Sequence, residues 1–486
     1  MPRLPPPLLR HVYSLHPLLP PLLRECRDLP SAQNELRWLG EHALAECRRK
    51  RNGGRDDRGD LHREERSVMT PGRLNSNGNG NSNVNACVRR RLREMVRQRA
   101  RGVPLQYILG DQPFGELEIL CRRGVLIPRP ETESYTTRTA NLLLSKFKFK
   151  SESQEHPPAL RILDLCTGTG CIPLLLHSLL APAFPQLQIC GVDISARALE
   201  LARENLEHNV KLGVLNERAR KEVSFIWGDV LSDLGADGSS RASHGIRGRE
   251  VEMEGMLLDF AAAAPSHRKR DISSAQPFDN GSGAASKQQR PAPRLDAATD
   301  TDTDTDTDTD TDTDTETKTV TILLSNPPYI SPSQFRNGTT SRSVRMYEPK
   351  LALVPPPTRV NADVTRCVSV GDSSSLNINA TTSATTSRQE EIQNAVIAAR
   401  QEDAFYPRIL ALGCAEWVDA DLVVLECGDK GQAGRVGEMA RVIYYGGVEG
   451  EGGVEVWRCD VDDEKLQGKD WEDGAGARAV AVRRRI

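Results

Sequence analysis

The sequence predicts an α/β protein: a mostly parallel sheet covered by helices, preceded by a short helical region and interrupted by stretches that cannot pack. Two observations carry that expectation. From Arg161 onward, strand-like apolar runs alternate with helical runs, the pattern of a parallel sheet with crossover helices. The composition also reads as packed sequence diluted by unpacked sequence, since only 38% of the 486 residues are AVILMFWYC and 5% are aromatic.

Three tracts account for the dilution: roughly residues 51–86, 232–318 and 355–400. The first is rich in Gly and Asn, the third in Ser, Thr and Asn. The second contains Thr-Asp repeated eight times from Thr299 to Asp314. None has an apolar face whose burial would offset the entropy of ordering, so all three are expected to be disordered. What remains suits two domains better than three.

The elements follow in order. Leu18 to Arg49 reads as short helices, with Ser31 preceding Glu35 near a start and Leu36, Leu39, Ala43 and Leu44 at helical spacing. Val88 to Arg101 is a helix carrying seven arginines, read as a solvated face with contact to RNA or an acidic partner as the alternative. Short strands are expected at Leu105–Leu109, Leu117–Cys121 and Val125–Ile127. The alternating region then gives strand 161–165, helix 172–180, strand 188–192, helix 196–209, and strands 223–227, 320–324 and 422–426. Strands 454–458 and 477–482 are expected to pair as an antiparallel edge.

Several classes are set aside by simple counts. No apolar run reaches 18 residues, so no membrane-spanning helix is expected. Eleven cysteines are too sparse for a disulfide scaffold and odd in number, and read as reduced thiols of an intracellular compartment. A net charge of −3, from 64 basic and 67 acidic residues, supplies no field for nucleic acid. Cys166 and Cys171 lack zinc-pair spacing and the histidines are scattered, so no metal is expected.

The ends of the first three parallel strands carry ligand chemistry. Asp164-Leu165-Cys166-Thr167-Gly168-Thr169-Gly170 closes one strand and opens a helix, where glycines allow close backbone approach and helix N–H groups face a ligand. Pro173 departs from the spacing of a pyrophosphate-binding turn, which favours a ligand with less phosphate. Asp193, followed by Ile194, ends the second strand, suited to ribose hydroxyls, with N-capping of the next helix as the alternative. Asp229, followed by Val230, ends the third, where it could accept from an adenine amino group. An adenosine without phosphates fits this series, and S-adenosylmethionine is such a ligand.

The fourth strand ends Ser325-Asn326-Pro327-Pro328-Tyr329. Two prolines remove two N–H donors, so the nearby carbonyls and the Asn326 side-chain oxygen form an acceptor-rich corner. Such a corner grips an –NH2 group by its hydrogens and aims its nitrogen at a methyl donor, with Tyr329 as a flat stacking face. Asn326, Pro327, Pro328 and Tyr329 are the candidate catalytic residues. Glu426 is expected to be structural or supporting rather than a general base.

These residues resemble the HemK/PrmC family, the S-adenosylmethionine-dependent N5-glutamine methyltransferases of peptide-chain release factors. Gly102 to Gly110, Ile127 to Glu133, Tyr347 to Leu353 and Leu425 to Gly428 are similar to further family segments. The resemblance implies a class I methyltransferase, Rossmann-like, with a seven-stranded mostly parallel sheet, a small helical N-terminal domain and a β-hairpin linker. It implies boundaries of 1–103 for the helical, substrate-binding domain, 104–130 for the linker and 131–486 for the methyltransferase domain. It assigns Gly168, Thr169 and Gly170 to the methionine part of the cofactor, Asp193 to the ribose, Asp229 and Val230 to the adenine, and Asn326 to Tyr329 to the glutamine of a Gly-Gly-Gln loop. Cys166 departs from the family by standing where the motif usually has a glycine, and Val230 by replacing a larger residue.

The alternatives are glutamine methylation of a ribosomal protein, adenine N6 methylation of nucleic acid, and a non-catalytic scaffold with the same fold. The adenine reaction would need a means of gripping nucleic acid and extruding a base, whereas the basic cluster here is confined to one helix. Arg3, Arg10 and Arg24 before the first acid, Glu25, fit a mitochondrial presequence, although seven prolines are expected to break its amphipathic helix. The organellar resemblance of the helical domain makes mitochondrial the expected location, with cytoplasmic as the alternative.

Overall fold

The computed structural model describes residues 4–51, 81–147, 157–231, 319–357, 400–415, 417–445, 453–458 and 477–486. The tract at 232–318, with its Thr-Asp repeat, and most of the tracts at 51–86 and 355–400 lie outside the described residues.

The chain begins with helices α1 (Pro6–Leu15), α2 (Leu19–Cys26), α3 (Leu29–Arg51) and α4 (Asn81–Ala100). The N-terminal prolines start helices rather than break them. Pro6 and Pro7 open α1, and Pro20 sits in the first turn of α2, where a missing N–H costs nothing. Asp28, not Ser31, caps α3, its Oδ1 accepting from Ser31 N at 2.8 Å. Helix α4 begins seven residues before the expected Val88, so 81–86 belong to a helix rather than to a disordered tract. Val12, Leu22, Leu23, Leu39, Ala43, Met95 and Val96 bury together as the core of these helices. The arginines of α4 divide: Arg91 and Arg99 pair with Glu46 and Glu35 of α3, while Arg89, Arg90, Arg93 and Arg97 stay exposed, as does Arg101 just after the helix. Cys47 and Cys87 form a disulfide between α3 and α4, with Cα atoms 6.3 Å apart. The expectation of uniformly reduced thiols is therefore wrong at this pair, which helix packing brings within bridging distance.

Leu105–Leu109, expected as a strand, is a short helix, α5. Its apolar residues fit either period over so few positions, and Leu105 and Ile108, three apart, both face the helical core. Val125–Ile127 is likewise not a strand; Val125 and Ile127 are buried in an irregular segment. The hairpin instead pairs β1 (Asp111–Phe114) with β2 (Leu117–Leu120).

The outer edge of β2 is closed by two amides of helix α8 (Ala196–Lys211). Asn209 Oδ1 and Nδ2 bond Glu118 N and O, both at 2.9 Å, and Asn205 Oδ1 accepts from Leu120 N at 2.7 Å. Paired in this way, the edge offers no free ladder groups at those positions.

Helix α6 (Pro130–Lys146) leads into the main sheet. Its strands are β3 (Ala159–Leu165), β4 (Leu187–Asp193), β5 (Val223–Trp227), β6 (Thr319–Ser325), β7 (Leu422–Glu426), β8 (Gly453–Arg458) and β9 (Ala477–Arg483), in the spatial order β5-β4-β3-β6-β7-β9-β8. The first five in that order are parallel; β9 runs antiparallel to both β7 and β8. This is the seven-stranded, mostly parallel sheet of the class I methyltransferase fold that the resemblance implies. Strand order reverses between β3 and β6, and the carboxyl ends on either side of such a reversal frame a ligand crevice. Helix α7 (Cys171–Leu180), α8 and α6 cover one face; α12 (Tyr406–Cys414) and α13 (Lys430–Tyr445) cover the other, so β3, β6 and β7 are almost wholly buried. Among the described residues the remaining α-helices are α9 (Ala219–Glu222), α10 (Pro332–Asn337) and α11 (Arg342–Tyr347).

Candidate active site

The turn after β3 is left-handed at three alternate residues, with φ of 62° at Cys166, 57° at Gly168 and 76° at Gly170. Two of the three are glycine, which adopts this conformation without penalty. Gly170 has a second constraint, because a Cβ there would lie 2.9 Å from Phe225 Cζ. Cys166 departs from the pattern and carries the strain of a left-handed L-residue.

Asp193 closes the turn from the neighbouring strand. Its Oδ2 accepts from Gly168 N at 2.9 Å and its Oδ1 from Ser195 N at 2.8 Å. Burial raises its pKa above the ordinary value even though both backbone N–H groups pull it down. The Trp227 indole, half-buried at the end of β5, donates to Ile194 O at 2.8 Å and so joins the ends of β4 and β5.

A cavity of about 370 Å³ opens over these strand ends. Cys166, Thr167, Gly168 and Thr169 line one wall. Asp193, Ile194, Asp229 and Val230 line another, and Asn326 and Pro328 stand at its end. Asp164 and Gly170 do not reach it. Asp164 is fully buried beneath the turn, where burial pushes its carboxyl up to about 8 against a smaller downward pull from the Thr167 hydroxyl. Neither Asp164 oxygen, nor Thr167 Oγ1, makes a well-formed hydrogen bond among the described residues.

A second cavity, of about 690 Å³, lies on the other side of Asn326. Tyr329, Ile330, Ser331 and Gln334 line it together with Gly428, Gln432 and Arg435. Pro327 is buried and reaches neither space. The two cavities share Leu126, Arg129, Asn326 and Ala352.

The corner is braced from behind. Asn326 Nδ2 donates to Thr132 Oγ1 at 3.2 Å, Thr132 donates to Glu426 Oε2 at 2.6 Å, and the Tyr329 hydroxyl donates to Glu426 Oε1 at 3.1 Å. Glu426 is 1% exposed, and burial pushes its carboxyl up to about 7. The Tyr329 ring lies against Gly428, where a Cβ would come within 2.9 Å of its Cδ2. Gln432 completes this wall, accepting from Gly428 N at 2.7 Å and donating to Asp403 Oδ1 at 2.9 Å.

Arg129, just before α6, donates from Nη2 to both oxygens of buried Glu348, each at 2.8 Å. Glu348 also accepts from Ile127 N at 3.3 Å. This ties the segment before α6 to the segment after the Asn-Pro-Pro-Tyr corner. Sequence reasoning singled out both segments but assigned no role to Thr132, Arg129 or Glu348. Their partners lie 194 to 294 residues away, a pairing that only the family likeness of the segments hinted at.

Residues 78–110 match the model of the PrmC N-terminal domain. The chain is 33% identical, over 46% of its length, to a probable MRF1 mitochondrial N(5)-glutamine methyltransferase of Schizosaccharomyces pombe, covering 56% of that protein. It is 32% identical, with the same coverage, to the mitochondrial MRF1 N(5)-glutamine methyltransferase of Saccharomyces cerevisiae. A release factor glutamine methyltransferase of Haemophilus influenzae is 40% identical over 25% of the chain and 41% of the relative. The chain thus spans about half the length of the curated relatives it matches. The PrmC domain in the helical region and the glutamine methyltransferases among the relatives name the same family, the one this sequence resembles.

Proposed function

We propose that this protein is an S-adenosylmethionine-dependent methyltransferase that N5-methylates the glutamine of the Gly-Gly-Gln loop in a class I peptide-chain release factor. The observation that carries the reading is the meeting of two cavities at Asn326, one over the glycine turn and one beside Tyr329. A methyl donor on one side and an amide on the other would face each other there. The relatives' names support the substrate class.

The residues of the first cavity fit the cofactor. Its wall is left-handed glycine backbone at one end and the Asp193 carboxylate at the other. Gly168 and Thr169 would hold the methionine part, with Gly170 shaping the turn. Asp193 keeps lone pairs free on both oxygens for ribose hydroxyls, and Asp229 and Val230 flank the adenine. When bound, the cofactor supplies an electrophilic sulfonium methyl.

The protein's own part is positioning. The Asn326 side-chain oxygen and the carbonyls beside Pro327 accept the two amide hydrogens of the glutamine. Tyr329 packs on the amide plane, and the walls of both cavities exclude water. Orientation of this kind supplies a large share of the barrier reduction without a strong base.

The test is methyl transfer to a purified mitochondrial class I release factor, read by mass on the Gly-Gly-Gln glutamine. Wild-type protein should add one methyl. Asn326→Ala should lose about a hundredfold or more in kcat while still binding S-adenosylmethionine. Absence of methyl with the wild type would refute the substrate, and full activity in Asn326→Ala would refute the role of the corner. The two yeast relatives are named mitochondrial, which supports the same location here. Organelle fractionation tests it, and a cytosolic signal would overturn it.

A further inference from the structure

We propose that Thr132 and Glu426 act as a positioning relay that fixes which end of the Asn326 amide faces the substrate. The proposal deepens the reading above and rests on it for the identity of the substrate. Its argument comes from donors and acceptors alone.

An asparagine amide has a donating end and an accepting end of nearly equal shape, and only its neighbours decide which way it lies. Above about pH 7, where its carboxyl is ionised, Glu426 can only accept. The contact of 2.6 Å between Thr132 Oγ1 and Glu426 Oε2 therefore uses the single Thr132 proton. With that proton committed, Thr132 can only accept from Asn326, 3.2 Å away. The atom facing Thr132 must be Nδ2, and Oδ1 is turned away from the relay. Turned that way, Oδ1 can take a hydrogen from the substrate –NH2.

The opposite orientation would set Oδ1 against a hydroxyl whose proton is already committed. Relieving that clash would mean withdrawing a donor from a carboxylate that is 1% exposed. Buried acceptors resist losing a partner, so the orientation is enforced by burial. The other Glu426 oxygen takes the Tyr329 hydroxyl at 3.1 Å. One carboxylate therefore braces both polar residues of the corner, at opposite ends of the two prolines. Thr132 stands in the first turn of α6 and is 2% exposed, which leaves its hydroxyl no solvent alternative.

The experiment compares wild type, Thr132→Ser, Thr132→Val and Glu426→Gln as full-length chains carrying ¹⁵N-asparagine. The Asn326 side-chain signal is assigned by its loss in Asn326→Asp, and S-adenosylmethionine binding verifies that each variant is folded. Solvent exchange of the Asn326 Nδ2 protons should be slow in wild type and Thr132→Ser and about tenfold faster in Thr132→Val and Glu426→Gln. With the release factor as substrate, Thr132→Val should lose about a hundredfold in kcat with little change in KM, and Thr132→Ser should recover most of it. Unchanged exchange in Thr132→Val and Glu426→Gln would overturn the relay, whatever the activity. Faster exchange with an undiminished kcat would overturn its positioning role. A wild type that transfers no methyl would instead overturn the substrate reading, and the exchange data would still decide the relay. Should Thr132→Val fail to fold, Glu426→Gln carries both comparisons.

Discussion

At the scale of single residues, the site departs from favourable chemistry at two positions, and each departure has a measurable consequence. Cys166 holds a φ of 62° where a glycine would be at ease. A β-branched residue tolerates that conformation least. Cys166→Val should therefore destabilise the protein by about 1–2 kcal/mol, while Cys166→Gly, relieved of strain, should change it by less; denaturant unfolding of both reads the difference. Glu426 is the second. Its carboxyl is pushed up to about 7, so between its ordinary value and 7 the folded state holds a proton that the unfolded chain releases. Its contribution to stability falls as pH rises through that window and stays low above it. Glu426→Gln removes that dependence, so its melting temperature relative to wild type should be more favourable at pH 8 than at pH 5. Equal differences at the two pH values would show that Glu426 titrates normally. The place of Asp193, at a strand tip and on the wall of the cavity, could be read from the sequence. That of Thr132 could not, because its meaning depends on a carboxylate 294 residues away.

At the scale of elements, periodicity worked where runs were long and failed where they were short. Strands 223–227 and 422–426 fall at the expected limits, and the edge pair of β8 and β9 is antiparallel as expected. Their β-branched and leucine-rich runs between turn residues leave little choice of period. Leu105–Leu109 spans five residues, too few to separate a period of 2 from one of 3.6, and its helical outcome is decided by where Leu105 and Ile108 can bury. β2 falls where strand 117–121 was expected, but its partner β1 went unread, because Asp111-Gln112-Pro113-Phe114 offers no apolar alternation. The α3–α4 disulfide was hidden as well, since Cys47 and Cys87 are 40 residues apart and meet only once the helices pack. A closed loop of that length restricts the unfolded chain considerably. Cys47→Ser, or reduction, should cost the helical region about 2–4 kcal/mol, seen as a lower melting temperature without change in the sheet's own unfolding.

For the whole molecule, the arginine-rich helix α4 and the near-neutral charge take on a clearer meaning. Two of its arginines, Arg91 and Arg99, hold α3, and four remain exposed. The helical region also touches the segment beyond the corner: Ser343 donates to Gly102 O at 2.7 Å, and Tyr347 donates to Arg101 O at 3.2 Å. The fold class was readable because a parallel sheet announces itself strand by strand. The link between the two regions was not, because it rests on individual hydroxyls and on an ion pair of Arg342 with Glu25.

The central register of the sheet has a wider consequence. Ser325 pairs with Leu165 on one side and Leu425 on the other, so the glycine turn, Asn326 and Glu426 follow from three adjacent strand ends level with one another. Neighbouring strands lie about 4.8 Å apart, which makes the sheet a ruler with a fixed pitch. Donor turn, acceptor corner and brace are spaced by backbone pairing rather than by the lengths of the connections between them. A crossover can then be long, as the one between Leu231 and Thr319 is, while the three marks on the ruler stay in line.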